Sequence, residues 1–157
     1  VILNNGEIKT LYPNDIEFNY RNSSLSSNEF ILSAKFKLNK ANRANINKRK
    51  QIASKGRIRS QPLKFRSAGS VFKNPHKNLA AGLLIDKVGL KGTRYGHAEI
   101  SDHHANFFVN HGNAKASDIA KLIRISRRKV YDRFGIMLEL EIKTIGFSRE
   151  ELLPYAD

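Results

Sequence analysis

Apolar and polar residues alternate over residues 30–38. Phe30, Leu32, Ala34, Phe36 and Leu38 fall on one side, and Ile31, Ser33, Lys35 and Lys37 on the other. A period of two predicts a half-buried strand. Upstream, the apolar segments 1–3 and 8–11 flank Asn4-Asn5-Gly6. An Asn-Gly pair tolerates the positive φ of a tight turn, so this stretch predicts a hairpin. Pro13-Asn14-Asp15 breaks the pattern, and residues 18–24 form a polar connection that carries Arg21. Residues 39–60 are strongly basic and predict a helix ending near Gly56, with Ala44, Ile52 and Ala53 as a thin apolar stripe. Pro62 closes it. The predicted domain boundary lies there, with residues 1–60 forming a β-rich part and residues 61–157 the rest.

Beyond the boundary the periods alternate between two and 3.6. Residues 70–72 predict a short strand, and Asn78 is placed to cap a helix that runs through Val88 and stops at Gly89. Residues 98–101 and 106–110 predict two more strands. Asn113 or Ser117 then caps a long helix whose inner face is Ile119, Leu122, Ile123, Ser126, Val130 and Phe134, ended by Gly135. Residues 136–145 predict a last strand, with Ile136, Leu138, Leu140 and Ile142 opposite Glu139, Glu141 and Lys143. The order β-α-β-β-α-β predicts an α+β layer of two helices on one antiparallel or mixed sheet.

The totals fit this picture. The chain has 157 residues, 40% of them apolar and 9% aromatic, enough for one ordinary domain or two small ones with a real core. Without cysteine, disulfides and thiolate metal sites are excluded. No apolar run approaches the roughly 18 residues of a membrane span, and the opening VILNNGEIK does not read as a signal peptide. The sequence opens at Val1 inside a predicted strand, which gives the expectation that it is a piece of something longer. A formal charge of +14, from 28 Lys and Arg against 14 Asp and Glu, favours anionic partners. Frequent Asn, Lys and Ile give a plainer origin for the same excess, a solvated surface shaped by coding drift.

The candidate chemistry is sparse. Ser70 sits in Ala68-Gly69-Ser70-Val71-Phe72, which is not a Gly-x-Ser-x-Gly elbow, so it reads either as a serine satisfying backbone groups or as a proton donor at a site. Glu141 shares the polar side of its strand with Glu139, so two carboxylates are able to approach one site. Five histidines lie between positions 76 and 111, but none has the spacing of a zinc site, and no metal is expected. The Gly89-Leu90-Lys91-Gly92-Thr93-Arg94-Tyr95-Gly96 loop follows a helix C-terminus, the wrong end for holding phosphate through backbone amides. The basic helix lacks interleaved aromatics, so nucleic acid is not expected as a partner.

Read in order, several motifs resemble one family. They are Tyr20-Arg21-Asn22-Ser23, Gln61-Pro62-Leu63, the run from Ser67 through Ser70 to Pro75, and Ala81-Gly82-Leu83-Leu84-Ile85-Asp86. Gly89-Leu90-Lys91-Gly92, Ser101 through Phe107, Asn110 and Leu140-Glu141-Ile142 continue the series. Together they look like the UDP-N-acetylenolpyruvoylglucosamine reductases (the MurB family). The resemblance implies a flavoprotein of peptidoglycan precursor synthesis. In it, NADPH reduces FAD, which passes hydride to the enolpyruvyl ether of a UDP-sugar and yields UDP-N-acetylmuramate in the cytoplasm. By the same resemblance, Ser70 protonates the carbon next to the one that receives hydride, while Arg21 and Glu141 stabilise the enolic intermediate. Lys73 and Asn74 are implied substrate-holding neighbours. The resemblance also implies that residues 1–60 are the tail of an FAD-binding, PCMH-like domain and residues 61–157 the substrate-binding domain. The family's glycine-rich FAD-holding half has no counterpart in these residues, so the chain alone is expected to bind flavin weakly or not at all and not to turn over. The alternatives are a UDP-sugar-binding module without catalysis and a charge-driven nucleic-acid binder.

Overall fold

The computed structural model describes residues 1–3 and 5–155. It divides into two compact units, Val1–Ile46 and the chain from Asn47 onward. In the first unit, the opening hairpin forms through Leu3 N–H to Glu7 O (2.8 Å), Lys9 N–H to Val1 O (2.9 Å) and an antiparallel bridge between Ile2 and Ile8. Asn4 of the predicted turn lies outside the described residues. Strands β1 (Phe18–Asn19) and β2 (Asn22–Ser23) form a second antiparallel hairpin.

The strand predicted over residues 30–38 is not formed. Phe30 bridges Ile2, and residues 31–38 carry no ladder among the described residues. Phe30, Leu32, Phe36 and Leu38 are 69%, 53%, 77% and 83% exposed. Alternation fixes which side would be buried; it does not supply the neighbouring strand on which the backbone groups depend.

Helix α1 (Arg43–Ser60) begins in the first unit and continues into the second. It passes the predicted stop at Gly56, where Ser60 Oγ–H donates to Gly56 O at 2.9 Å. No residue of α1 is buried, because its cations are spread around the axis and leave no apolar stripe wide enough to pack.

In the second unit, β3 (Arg66–Ser70), β4 (Arg94–Tyr95), β5 (Ala98–Ile100) and β6 (Phe107–Asn110) form one antiparallel sheet in the order β3-β6-β5-β4. Strand β4 arises in the basic glycine loop, which the sequence read as irregular. Helix α2 (Ala81–Lys87) starts later than predicted, and its first amide donates to Asn74 Oδ1 at 3.1 Å, so Asn74 caps it in place of Asn78. Helix α3 (Ala116–Phe134) starts after Lys115, whose N–H donates to Asp118 Oδ2 (3.0 Å), and ends at Gly135 as predicted. Neither Asn113 nor Ser117 is its cap.

Helix α3 packs on β4 and β5, and α2 packs on α3. The class is α+β as expected, but the element order is β-α-β-β-β-α in place of β-α-β-β-α-β. Between helices and sheet lies a core of Phe72, Ile85, Ile100, Leu122, Ile123, Val130 and Leu138, each at most 1% exposed. Burial of each such side chain stabilises the fold by roughly 1.5–3 kcal/mol. The strand predicted over residues 136–145 reduces to one bridge, Leu140 with Phe72. Glu141 N–H and Ile142 N–H both turn toward Val71 O, at 2.8 and 3.5 Å. Two consecutive donors sharing one acceptor cannot continue a ladder in register.

Candidate active site

The Ser70 segment is shaped by an irregularity. Arg66 pairs with Asn110 and Ser67 with Val109, but Ser70 pairs with Phe107, so the register slips across Ala68-Gly69. Gly69 has φ +86°, a conformation that L side chains rarely adopt, and it supplies the freedom the bulge requires. Bulges re-aim the side chain that follows them. Here that side chain is Ser70, half-buried at the end of β3.

Beyond Ser70 the chain is held from two sides. On one, Val71 N–H donates to Asn106 O (2.9 Å), Phe72 N–H to Asn106 Oδ1 (2.9 Å), and Asn106 Nδ2–H back to Phe72 O (2.8 Å). On the other, Lys73 N–H donates to Glu139 O and Glu141 N–H to Val71 O, both at 2.8 Å. The structure thus brings Ser70 and Glu141, far apart in the sequence, onto adjoining backbone positions. Lys73 is ion-paired with Glu139, and Asn74 closes the segment by capping α2.

Arg21 belongs to the first unit. It stands at the second position of the tight turn joining β1 and β2, with φ 57°. Among the described residues it is the one non-glycine with positive φ, at a turn position where glycine or asparagine is usual. Its guanidinium lies 5.3 Å from the centre of the Tyr20 ring. Backbone strain held by a charged residue is a pointer to function.

His104 sits behind Asn106. Ser101 Oγ accepts His103 N–H (3.1 Å) and His104 N–H (3.4 Å), and His104 Nδ1 accepts Asn106 N–H (3.2 Å). Its ring meets Phe107 edge-on at 4.9 Å. A Cβ on Gly82 would stand 3.1 Å from the ring, so glycine there admits the close approach. Burial lowers the His104 pKa below 6.5, with Lys91 and His103 adding to the effect, and keeps the acceptor nitrogen neutral.

Beside the bulge, a cleft of about 310 Å³ is walled by Val71, Phe108, Ile119 and Ile142, with Arg66, Ser67 and Asn110 as its polar lining. Ser70 is not part of that lining. A second polar cluster joins Glu99 to Arg94 and, at 3.0 Å, to His111 Nε2. Among the described residues no group of three His, Cys, Asp or Glu could hold a metal ion. Residues 1–46 do not fit the implied flavin. Over residues 1–46 the single glycine is Gly6, in the hairpin turn, and no described residue is buried, so nothing there cradles a pyrophosphate or covers a ring.

Sequence reasoning gave Asn106 no role of its own. The signal was a polar residue set in the apolar run Ala105-Asn106-Phe107-Phe108-Val109, where burial demands hydrogen-bond partners.

Residues 61–145 match the family profile described as UDP-N-acetylenolpyruvoylglucosamine reductase, C-terminal domain. A reductase of that name from Chloroherpeton thalassium is 44% identical over 155 residues, covering 94% of this chain and 50% of its own length. Its namesake from Shouchella clausii is 42% identical, covering 100% of this chain and 50% of its own length. The crystal structure of the Thermus caldophilus enzyme aligns with a TM-score of 0.75 at 38% identity, over 88% of this chain and 48% of that one. The chain spans about half the length of the curated relatives it matches.

Proposed function

Because this chain belongs to the UDP-N-acetylenolpyruvoylglucosamine reductase family, we propose that it forms the substrate side of that reductase and delivers the proton that completes the reduction. The substrate is an enolpyruvyl UDP-sugar and the product UDP-N-acetylmuramate, a peptidoglycan precursor. FAD and NADPH are the proposed cofactors, and the residues described here are assigned no part in holding them. Among the described residues no helix is long and apolar enough to cross a membrane.

The observation that carries this reading is the bulged Ser70 segment, fixed between β6 and the Glu141 strap. Reduction of the enolpyruvyl double bond leaves an electron pair on the carbon beside the substrate carboxylate. Ser70 gives its hydroxyl proton to that carbon: the O–H bond breaks, a C–H bond forms, and the alkoxide regains a proton from solvent. A hydroxyl is a weak acid, but an enolate is a strong enough base to need only a well-placed O–H. Glu141 is assigned to the enolic oxygen as a hydrogen-bond partner. Arg21 is assigned to its negative charge, a role suited to a rigid guanidinium. Lys73 and Asn74 are assigned to substrate holding, with the Lys73–Glu139 pair opening to release the cation.

The test uses the full reading-frame product. Ser70→Ala is expected to lower turnover of the enolpyruvyl UDP-sugar by roughly 10²–10⁴-fold. Calorimetric affinity for the UDP-sugar should stay near wild type. Equal turnover in the variant overturns the assignment. Tight UDP-sugar binding without turnover in either form marks the chain as a binding module.

A further inference from the structure

We propose that Asn106 is a positioning residue for the proton transfer assigned to Ser70, an inference that rests on the functional reading above. Asn106 is 3% exposed and lies at the entry to β6. Its side-chain amide makes two opposed hydrogen bonds to a single residue, accepting from Phe72 N–H at 2.9 Å and donating to Phe72 O at 2.8 Å. Its backbone carbonyl takes Val71 N–H at 2.9 Å. Three of the four backbone polar groups of Val71 and Phe72 are therefore held by one residue.

The bulge sets where this is needed. Across Ala68-Gly69 the β3–β6 ladder slips, resumes with Ser70 opposite Phe107 and continues with Val71 N–H to Asn106 O. The Asn106 amide carries the pairing one residue further, to Phe72, because a carboxamide carries the same donor and acceptor pair as a peptide group. With the 139–141 strap on the other edge, the segment that sets the Ser70 hydroxyl has no slack in the sheet plane. Asp keeps the acceptor and loses the donor. Leu loses both.

Displacement of a reacting group by about 1 Å costs on the order of 10²-fold in rate. In the full-length, cofactor-loaded protein, Asn106→Leu and Asn106→Asp are expected to lower kcat by roughly that factor at pH 8, with KM for the enolpyruvyl UDP-sugar little changed. As pH falls, the carboxylate introduced by Asn106→Asp gains a proton, its O–H donates to Phe72 O, and the deficit of that variant should shrink. Wild type and Asn106→Leu should show no such recovery. Hydrogen exchange at the Phe72 amide is the second readout, fast in Asn106→Leu, which lacks the acceptor, and near wild type in Asn106→Asp, which keeps it.

Wild-type kcat in Asn106→Asp at pH 8, a loss carried by KM, or parallel pH profiles for the two variants overturns the proposal. Should Asn106→Leu fail to fold, Asn106→Asp across pH decides alone. Absence of turnover in the wild type sinks the functional reading instead. The exchange measurement then still judges the clamp, and an unaltered Phe72 amide in Asn106→Leu refutes it.

Discussion

Residues 30–38 and 136–142 carry the same apolar alternation, yet the molecule uses them in opposite ways. In the first unit, Phe36 and Leu38 are 77% and 83% exposed and no ladder forms beyond Phe30. In the second, Leu138 is fully buried, and Leu140 bridges Phe72. The difference lies in what each segment meets. Residues 136–142 find the Ser70 segment on one side and α3 beneath, where Arg127 Nε–H donates to Leu138 O at 2.9 Å. Alternation is thus a statement about sides, and burial is a statement about neighbours.

The sharpest way to break that contrast is to truncate one phenylalanine in each unit. Phe72 is fully buried and meets the Phe108 ring edge-on at 6.0 Å. Phe72→Ala is expected to cost roughly 3–5 kcal/mol, through lost transfer energy and the cavity left behind. Phe36→Ala should cost at most about 0.5 kcal/mol, as exposed substitutions do. Urea denaturation followed by circular dichroism compares them directly. A Phe36→Ala penalty approaching that of Phe72→Ala would mean that the apolar row of residues 30–38 is covered in solution.

The same contrast separates what was legible in the sequence from what was not. The inner face of α3 was readable because one long helix makes its own pattern: Leu122, Ile123, Ser126 and Val130 are all buried, and Gly135 ends it. The opening hairpin was readable because turn chemistry is local. The cap of α2 was not, since Asn74 reaches Ala81 N–H from outside the helix and Asn78 looks equivalent on paper. The register slip at Ala68-Gly69 was also hidden, because a bulge is defined by the partner strand. At the site, Ser70, Glu141, Lys73, Asn74 and Arg21 were named from motifs. The mutual placement of Ser70 and Glu141 depends on backbone bonds between residues 71 and 141, which no local pattern contains.

Arg21 offers a finer cut between folding and function. Its left-handed conformation costs about 1 kcal/mol relative to glycine, and nothing in turn geometry asks for arginine there. Arg21→Gly should therefore stabilise the β1–β2 hairpin by about that amount. In the full-length protein it should sharply reduce turnover of the enolpyruvyl UDP-sugar. Scanning calorimetry and steady-state rates measure the two effects. A variant that gains stability and keeps wild-type turnover would reduce Arg21 to an accident of the turn.

The smallest effect separates the units by pH. All five histidines follow residue 46, so any stability change from imidazole titration belongs to the second unit. Burial holds the His104 pKa below 6.5 in the folded protein, reinforced by Lys91 and His103. The unfolded chain therefore binds this proton first as pH falls, and stability drops. The loss begins near pH 6.5 and levels off below the folded-state pKa; above pH 6.5 the group contributes no slope. Protonation also removes Nδ1 as the acceptor for Asn106 N–H, so the penalty falls on the residue that grips Phe72. His104→Gln should flatten the difference in urea midpoint between pH 8 and pH 5 while leaving the pH 8 midpoint near wild type. An unchanged slope in that variant would assign the acid sensitivity to another of the histidines and leave the support behind Asn106 indifferent to pH.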